Sequence, residues 1–173
     1  MILTGNKIKE EVKEKRINIS PFDEKRVTTN SYDLCLAPKI LRYTSPILDP
    51  KIKQPFEEIE IPKKGLQMNA GEFRLAASIE IVGSNHFVPI IHAKSSLARM
   101  GLFVHCTADL VDIGSLGNLT FQLFATLPII LYPEMLIGQV SFWVPLGDTT
   151  LYKGKYQNSS GPQPSKSWME YPE

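Results

Sequence analysis

The chain has 173 residues, enough for one domain that buries roughly two-thirds of the surface exposed by its unfolded form. Its 19 basic and 18 acidic residues give a formal net charge of +1, which provides no long-range attraction for nucleic acid or an anionic membrane. The first residues lack the apolar segment of a signal peptide, and no apolar run is long enough for a membrane helix. We therefore expect a cytoplasmic protein that binds neither nucleic acid nor membranes.

The first predicted element is an amphipathic helix over residues 4–16. Thr4 is a candidate N-cap, Ile8 and Val12 fall on one stripe, and charged residues fill most other positions. From residue 17 onward, short apolar and β-branched runs are separated by Pro, Gly and Asn, a pattern typical of a β-sandwich or barrel. The predicted strands are SYDLCLA, KILRYT, EEIEIP, LQMNA, FRLAASIEIV, VPIIHAK, LFVHCTADLV, LTFQLFA, IILYP and GQVSFWVP.

Two further segments have distinctive compositions. A second helical turn is predicted at SSLARMG, with the serines as caps and Leu97, Met100 and Leu102 as packing residues. From residue 152 the chain is rich in Gly, Pro, Ser and Lys with aromatic residues between them. That composition is typical of a disordered tail, and it also suits a segment that orders over a ligand. Cys35 and Cys106 lie in apolar runs and are predicted to be reduced core thiols.

The stretch KSSLAR (residues 94–99) interrupts the apolar runs with cations and hydroxyls. Lys94 and Arg99 supply positive charge, and Ser95 and Ser96 supply hydroxyl donors. A helix that begins here would also point backbone N–H groups outward. Fixed dipoles, a point charge and a planar guanidinium are the groups that bind phosphate. The alternative is an ordinary capped turn on the surface.

Carboxylates follow in the stretch TADLVDIGSLGNL, where Asp109 and Asp112 precede two glycines. A carboxylate near a phosphate site can orient a sugar hydroxyl or activate a water. An Asx-turn in a hairpin produces the same pattern. His92 and His105 flank this region, and we interpret them as core or rim residues rather than metal ligands.

Four segments in chain order resemble the dCTP deaminase branch of the dUTPase superfamily. They cover about half of the chain and read ISPFDEKRVTTNSYDLCL, KSSLARMGLFVHCTADLVDIGSLGNLTFQLF, LPIILYPEMLIGQVSF and YKGKYQNSSGP. The resemblance implies a distorted, jelly-roll-like β-barrel formed by a single domain, residues 1–173, in which residues 152–173 close over the active site. It also implies a homotrimer with active sites at subunit interfaces, dCTP or dUTP as ligand, dTTP as a candidate inhibitor, and Mg²⁺ bound through the triphosphate.

The family motif can be carried onto this chain residue by residue. It implies that Ser95 and Arg99 lie at the reacting centre and the phosphates, and that Asp112 lies near the sugar. In related dUTPases that carboxylate activates the attacking water. Lys94 stands where the family usually has Arg, which keeps the charge but loses the bidentate fork. The other nucleotide-binding residues implied by the motif are Ser96, Thr107, Ala108, Gln122, Tyr152, Lys155 and Ser159.

Residue 122 departs from the family pattern. Zinc deaminases activate water with a metal and carry the signatures H-x-E and P-C-x-x-C. The chain has neither, so we expect no zinc. In the dCTP deaminases a glutamate within L-E-[FL] shuttles the proton instead, and the corresponding segment here reads TFQLF with Gln122 at that position. An amide cannot take up and release a proton at neutral pH.

Three explanations of Gln122 are open: a substitution introduced into an active enzyme, a natural residue in a protein that does not deaminate, or a motif displaced by one residue. The last is disfavoured because no carboxylate lies between Asp112 and Glu134. Three functions follow. The first is conversion of dCTP to dUTP and ammonia, impaired by Gln122. The second is hydrolysis of dUTP to dUMP and pyrophosphate through Asp112, alone or beside deamination. The third is a catalytically silent, nucleotide-binding trimer.

Overall fold

The computed structural model of the protein describes residues 1–171 and confirms the mainly β architecture. In chain order the elements are α1 (Gly5–Lys13), β1 (Ile17–Ser20), β2 (Tyr32–Tyr43), β3 (Phe56–Glu60), β4 (Leu66–Met68), β5 (Phe73–Ser84), β6 (Val88–Ala93), α2 (Ser95–Ala98), β7 (Leu102–Phe103), β8 (Leu116–Ala125), β9 (Ile129–Leu131) and β10 (Leu136–Trp143). Short 3₁₀ turns cover Glu24–Arg26 and Ser167–Glu170. Of the segment 152–173, Pro172 and Glu173 lie outside the described residues.

Helix α1 forms where the amphipathic pattern predicts it. The Thr4 side chain accepts a hydrogen bond from the backbone N–H of Lys7 at 3.4 Å, which confirms the predicted N-cap. Ile8 is fully buried against the sheet. The helix ends at Lys13 rather than at residue 16, because Lys15 adopts a left-handed conformation with φ of 60° that a helix cannot continue.

Eight strands form one antiparallel sheet that is nearly closed into a barrel. Its strands run in the order β6-β10-β2-β5-β8-β7, with β1 paired to β5 and β3 paired to β2, while β4 and β9 form a separate two-stranded sheet. The predicted strands SYDLCLA and KILRYT are a single strand, β2. Its pairing with β5 shifts register between Leu36 and Ile40, around Pro38, which has no N–H to give to a ladder.

Strand β8 separates the core from the site through its period of two. Leu119, Phe121 and Leu123 are buried in the core, whereas Thr120 and Gln122 are half-buried on the opposite face. The core is continuous with the large apolar residues of β2 and β10, including Tyr32 and Phe142, which are fully buried. The face that carries Gln122 is therefore held by a rigid, well-packed strand.

The predicted strand LFVHCTADLV is wrong beyond its first residues, because β7 covers only Leu102–Phe103. One more backbone contact follows, from the Gln122 N–H to the Val104 carbonyl at 2.9 Å. The N–H groups of Cys106 and Thr107 donate to the Gln122 side chain instead of to the β8 backbone, so the hydrogen-bond ladder between β7 and β8 ends there. The chain then forms an irregular loop over residues 106–115. The longest helix of the described residues, α1, has nine residues, far fewer than a membrane-spanning helix needs.

Candidate active site

A cavity of about 610 Å³ lies between the outward face of β8, the loop 106–115 and the C-terminal segment. Six of the residues predicted from the sequence line it: Thr107, Ala108, Asp112, Gln122, Tyr152 and Ser159. Apolar side chains such as Leu75, Ile91 and Leu119 form much of the remaining wall. Apolar walls with a few converging polar groups are typical of a small-molecule site.

Gln122 occupies the β8 wall of this cavity. Its Oε1 accepts hydrogen bonds from the backbone N–H groups of Cys106 at 3.2 Å and Thr107 at 3.4 Å. These bonds tie the loop 106–115 to the strand and hold the amide in one position. Because the side chain carries no ionisable group, it can orient a ligand or a water but cannot transfer a proton.

Asp112 is exposed on the loop and faces the same cavity. Its backbone carbonyl accepts from the Ser115 N–H at 3.0 Å, and the Gly114 N–H donates to the Ser84 carbonyl at 2.7 Å, so the turn is anchored to β5. Among the described cavity-lining residues, Asp112 is the only carboxylate, and none is Lys, Arg or His. The cavity contributed by one chain therefore suits an uncharged base and sugar better than a triphosphate.

The segment that begins at residue 152 is ordered against the barrel up to residue 171, rather than forming a disordered tail. The Tyr152 N–H donates to the Ile113 carbonyl at 2.8 Å, and its hydroxyl accepts from the Tyr156 N–H at 3.0 Å. Ser159 forms a parallel bridge with Gly117, and its Oγ donates to the Asn118 carbonyl at 2.9 Å.

Two glycines allow this close approach. A Cβ on Gly117 would lie 2.4 Å from Ser159 Oγ and 2.7 Å from Ser159 N. A Cβ on Gly114 would lie 2.8 Å from the Tyr152 N atom. Real side chains do not tolerate such contacts with backbone atoms, so both positions require glycine for the C-terminal segment to reach the cavity.

Lys155 is not among the residues that line the cavity. It forms an ion pair with Glu170, and its Nζ lies 5.7 Å from the centroid of the Tyr156 ring. Lys166 lies 5.2 Å from the same centroid. These contacts stabilise the far end of the C-terminal segment, and the predicted nucleotide contact of Lys155 stays a prediction.

The KSSLAR stretch lies elsewhere on the same chain and does not line the cavity. Ser95, Ser96 and Arg99 are exposed, and the Arg99 guanidinium donates to the Ser95 carbonyl at 2.8 Å. Lys94 Nζ forms an ion pair with Asp33 at 2.5 Å. The structure thus separates the predicted phosphate-binding group from the predicted base and sugar group.

The expectation that serines cap the second helix is wrong. Helix α2 is a single turn whose N-cap is Lys94, and no side chain caps it. Lys94 takes this position because its backbone is extended and its N–H donates to the Ile137 carbonyl of β10 at 3.2 Å. Of the predicted packing residues, Leu102 is buried and Leu97 packs against the core, but Met100 is 54% exposed.

The two cysteines are free thiols with different environments. Cys35 is buried in β2, as predicted. The prediction of a core thiol is wrong for Cys106, which is exposed and lines the cavity, because the strand it was assigned to ends before it. Partial desolvation raises the pKa of the Cys106 thiol above its usual value. The neutral thiol is therefore favoured there over the nucleophilic thiolate.

His92 is half-buried on strand β6 of the barrel. Its Nε2 lies 2.8 Å from Ser141 Oγ on the neighbouring strand β10. Burial lowers the pKa of His92, and the nearby His105 lowers it further. Within residues 1–171, no group of three or more His, Cys, Asp or Glu side chains is placed to hold a metal ion.

Several cavity residues were missed by the sequence interpretation: Tyr43, Cys106, Asn118, Thr120 and Gln163. Asn118 and Thr120 lie four and two positions before Gln122, respectively, on the same face of β8, so the alternating pattern itself could have identified them. Tyr43 could not be found that way, because its place at the cavity depends on a distant contact. Its hydroxyl accepts a hydrogen bond at 2.8 Å from the N–H of Ser165, which lies 122 positions later in the chain.

Comparison with known proteins identifies the family. A family model described as dCTP deaminase-like matches residues 2–144. The chain is 39% identical over 172 residues to a protein of Clostridium beijerinckii named dCTP deaminase, dUMP-forming, and 37% identical over 172 residues to one of the same name from Cytophaga hutchinsonii. Each alignment covers 99% of both chains.

Two solved structures have a similar fold. The 2′-deoxycytidine 5′-triphosphate deaminase from Agrobacterium tumefaciens superposes with a TM-score of 0.66 at 19% identity, over 83% of this chain and 48% of that one. The dUTPase of EIAV superposes with a TM-score of 0.51 at 14% identity, over 80% of this chain and 98% of that one. They confirm the dUTPase-like fold. The family match and the full-length relatives, which are named as enzymes, show that the chain belongs to the dCTP deaminase-like family.

Proposed function

We propose that this protein hydrolyses pyrimidine deoxynucleoside triphosphates to dUMP, with dCTP and dUTP as candidate substrates. The observation that carries the proposal is the convergence of Asp112 and Gln122 on one largely apolar cavity that is closed on one side by Tyr152 and Ser159. Both relatives are named as dUMP-forming, which supports dUMP as the final product in place of the dUTP expected from sequence. The overall conversion of dCTP then takes up two waters and releases ammonia and pyrophosphate.

In this proposal Asp112 is the working carboxylate of the phosphate step. Its exposed side chain can accept a proton from water, or a hydrogen bond from a sugar hydroxyl, at the mouth of the cavity. Attack on phosphorus depends mainly on fixed charge and positioning, so it does not require an ionisable group at residue 122. Mg²⁺ would supply charge neutralisation on the phosphates, carried by the triphosphate, and no protein ligand is assigned to it.

Gln122 affects the two steps unequally. Addition of water at C4 of cytosine needs a group that shuttles a proton to the ring and to the leaving amine. Loss of a positioned acid–base group lowers the rate by about 10²–10⁴-fold. A second candidate, hydrolysis of dUTP without appreciable deamination, is therefore favoured by one specific observation: Asp112 is the only carboxylate among the described residues that line the cavity.

The triphosphate requires a second subunit in this proposal. The described cavity residues include no cation, whereas Ser95, Ser96 and Arg99 are exposed on another part of the chain surface. A neighbouring copy in a cyclic homotrimer can place its KSSLAR stretch at the mouth of the cavity and complete the site. Closure of the C-terminal segment over the nucleotide, and inhibition by dTTP, belong to the same proposal.

Product analysis tests the reaction. The protein is incubated with Mg²⁺ and either dCTP or dUTP, and the nucleotides are separated by anion-exchange chromatography. We expect dUMP from dUTP and, more slowly, dUMP from dCTP, because Gln122 cannot shuttle the proton that deamination needs. Cleavage of dUTP with no change in dCTP supports the second candidate, and the Gln122→Glu variant should then accelerate loss of dCTP. Survival of both nucleotides would refute the enzymatic proposal.

Mixing two inactive variants tests the shared site. Arg99→Ala removes the phosphate cation and Asp112→Asn removes the carboxylate. If each site combines two subunits, co-refolded mixtures regain up to about a quarter of wild-type activity, because each site draws one group from each of two randomly chosen subunits. The double variant Arg99→Ala/Asp112→Asn is the matched control and stays inactive. Mixtures that recover nothing would indicate sites built within one chain.

A further inference from the structure

The orientation of the Gln122 amide is determined by its neighbours. The backbone N–H groups of Cys106 and Thr107 both point at one atom of the amide, at 3.2 Å and 3.4 Å. An N–H group can donate only to an acceptor, so that atom is the oxygen and not the NH₂ nitrogen. A flipped amide would set two donors against two donors and leave all of them unsatisfied.

The consequence is that Gln122 presents its NH₂ group to the cavity. No described residue accepts a hydrogen bond from Nε2, and Gln122 lines the cavity from the β8 wall. The Cys106 and Thr107 N–H groups cannot turn toward a ligand, because they belong to the backbone and already donate to Oε1. The Cys106 thiol also donates elsewhere, to the Gln122 carbonyl at 3.4 Å. At this point the cavity therefore offers a ligand a hydrogen-bond donor.

The environment of this donor suits a base rather than a phosphate. The described residues that line the cavity include no Lys, Arg or His, and Leu75 and Leu119 lie on its wall. Burying phosphate charge against apolar groups without a cation is strongly unfavourable, whereas a pyrimidine ring is uncharged and has hydrogen-bonding groups on its edge.

We propose that Gln122 selects the base, and that it selects 4-oxopyrimidines (uracil or thymine) over cytosine. This rests on the proposed function, which places the C4 edge of the base against residue 122. The exocyclic group at C4 is an acceptor oxygen in uracil and thymine and a donor amine in cytosine. The Gln122 NH₂ group therefore complements the oxygen and meets the cytosine amine donor to donor.

A glutamate at residue 122 would have the opposite preference. One carboxylate oxygen would take the place of Oε1 and accept from the same two N–H groups. The other oxygen would be an acceptor, suited to the cytosine amine and repelled by the uracil oxygen. The two residues have almost the same shape, so residue 122 acts as a switch between the 4-amino and 4-oxo bases through one atom of its side chain.

Binding of non-hydrolysable analogues tests this inference. Titration calorimetry with Mg²⁺ compares α,β-imido-dUTP with α,β-imido-dCTP, so that no turnover changes the ligand. The Gln122 NH₂ group gains a hydrogen bond with uracil and meets a second donor in cytosine. We therefore expect the uracil analogue to bind at least about tenfold more tightly than the cytosine analogue. Gln122→Glu should reverse the order. Gln122→Ala, which has neither group, should bring the two constants together.

The outcomes separate this inference from the proposed function. Tight binding of both analogues with equal constants, or a preference of the wild-type protein for the cytosine analogue, would overturn the assignment of Gln122 and leave the nucleotide site intact. Failure of wild-type protein to bind either analogue would overturn the proposed function as well. Circular dichroism and thermal unfolding establish that each variant is folded, and Gln122→Ala keeps the inference falsifiable if Gln122→Glu does not fold.

Discussion

Replacing Gly117 by alanine should detach the C-terminal segment from the barrel. The added Cβ would lie 2.7 Å from the Ser159 N atom and 2.8 Å from its O atom, where ordinary contacts begin at 3.4 Å. Relief of these contacts requires the Ser159 backbone to move by about 0.7 Å. Nearby bonds include Asn118 N–H to the Ser159 carbonyl at 3.0 Å and Asn158 N–H to the Leu116 carbonyl at 2.8 Å.

The expected magnitude follows from the bonds that are lost. With the Ser159 hydroxyl bond to Asn118, three hydrogen bonds depend on this approach. At about 1 kcal/mol each, their loss shifts the equilibrium toward the detached segment by up to about 10²-fold. Displacement of Tyr152 and Ser159 by this distance should lower nucleotide turnover by a similar factor.

Hydrogen–deuterium exchange measures this effect directly, because the amide of Asn158 loses its acceptor when the segment detaches. The matched control is Gly71→Ala. Gly71 also has a positive φ, of 82°, but nothing lies within 4 Å of its Cβ position, so the control introduces backbone strain without touching the segment. If Gly117→Ala exchanges and turns over like the wild-type protein, the close approach of Ser159 does not hold the segment in place.

Two further predictions concern stability. Glu134 is exposed and has φ of 65°, so Glu134→Gly should stabilise the protein by about 1 kcal/mol and raise Tm by about 2–4 °C, whereas Glu134→Ala, which keeps a Cβ, should not. The second concerns Glu11, which is 1% exposed and hydrogen-bonded by Arg16; this contact lowers its pKa to about 2 from an ordinary 4.5. The ionised Glu11 side chain stabilises the folded protein above pH 4.5, and this stabilisation is lost as pH falls toward 2. In urea unfolding, the difference in free energy of unfolding between wild type and Glu11→Gln should therefore shrink across that pH range. A difference that does not change with pH would contradict the assignment.

The sequence was sufficient to predict the strand that carries the site. The run LTFQLFA was predicted as a strand, and the structure confirms it within β8, where its alternation puts Gln122 on the face opposite Phe121 and Leu123. The N-cap at Thr4 was equally local, since capping depends on residues within one turn. Local periodicity and capping chemistry therefore predicted the elements that needed no knowledge of distant contacts.

The rest of the site depends on contacts between residues far apart in sequence. Lys94 and Arg99 were interpreted as one phosphate-binding cluster because they are close in the chain, but Lys94 pairs with Asp33, 61 positions earlier. The position of the C-terminal segment likewise depends on the bridge between Gly117 and Ser159. Such pairings follow from strand register and from the path of the loop 106–115, neither of which a single sequence specifies.

Asp112 is the proposed working carboxylate of a pyrimidine nucleotide site. The most direct measurement is pyrophosphate release from dUTP with Mg²⁺ by wild-type protein and Asp112→Asn, together with their affinities for α,β-imido-dUTP. We predict that the substitution lowers the release rate by about 10²–10⁴-fold while the affinity changes by less than about tenfold, because the amide keeps the shape but cannot take up a proton. Pyrophosphate release at the wild-type rate by Asp112→Asn would show that Asp112 does not activate the attacking water.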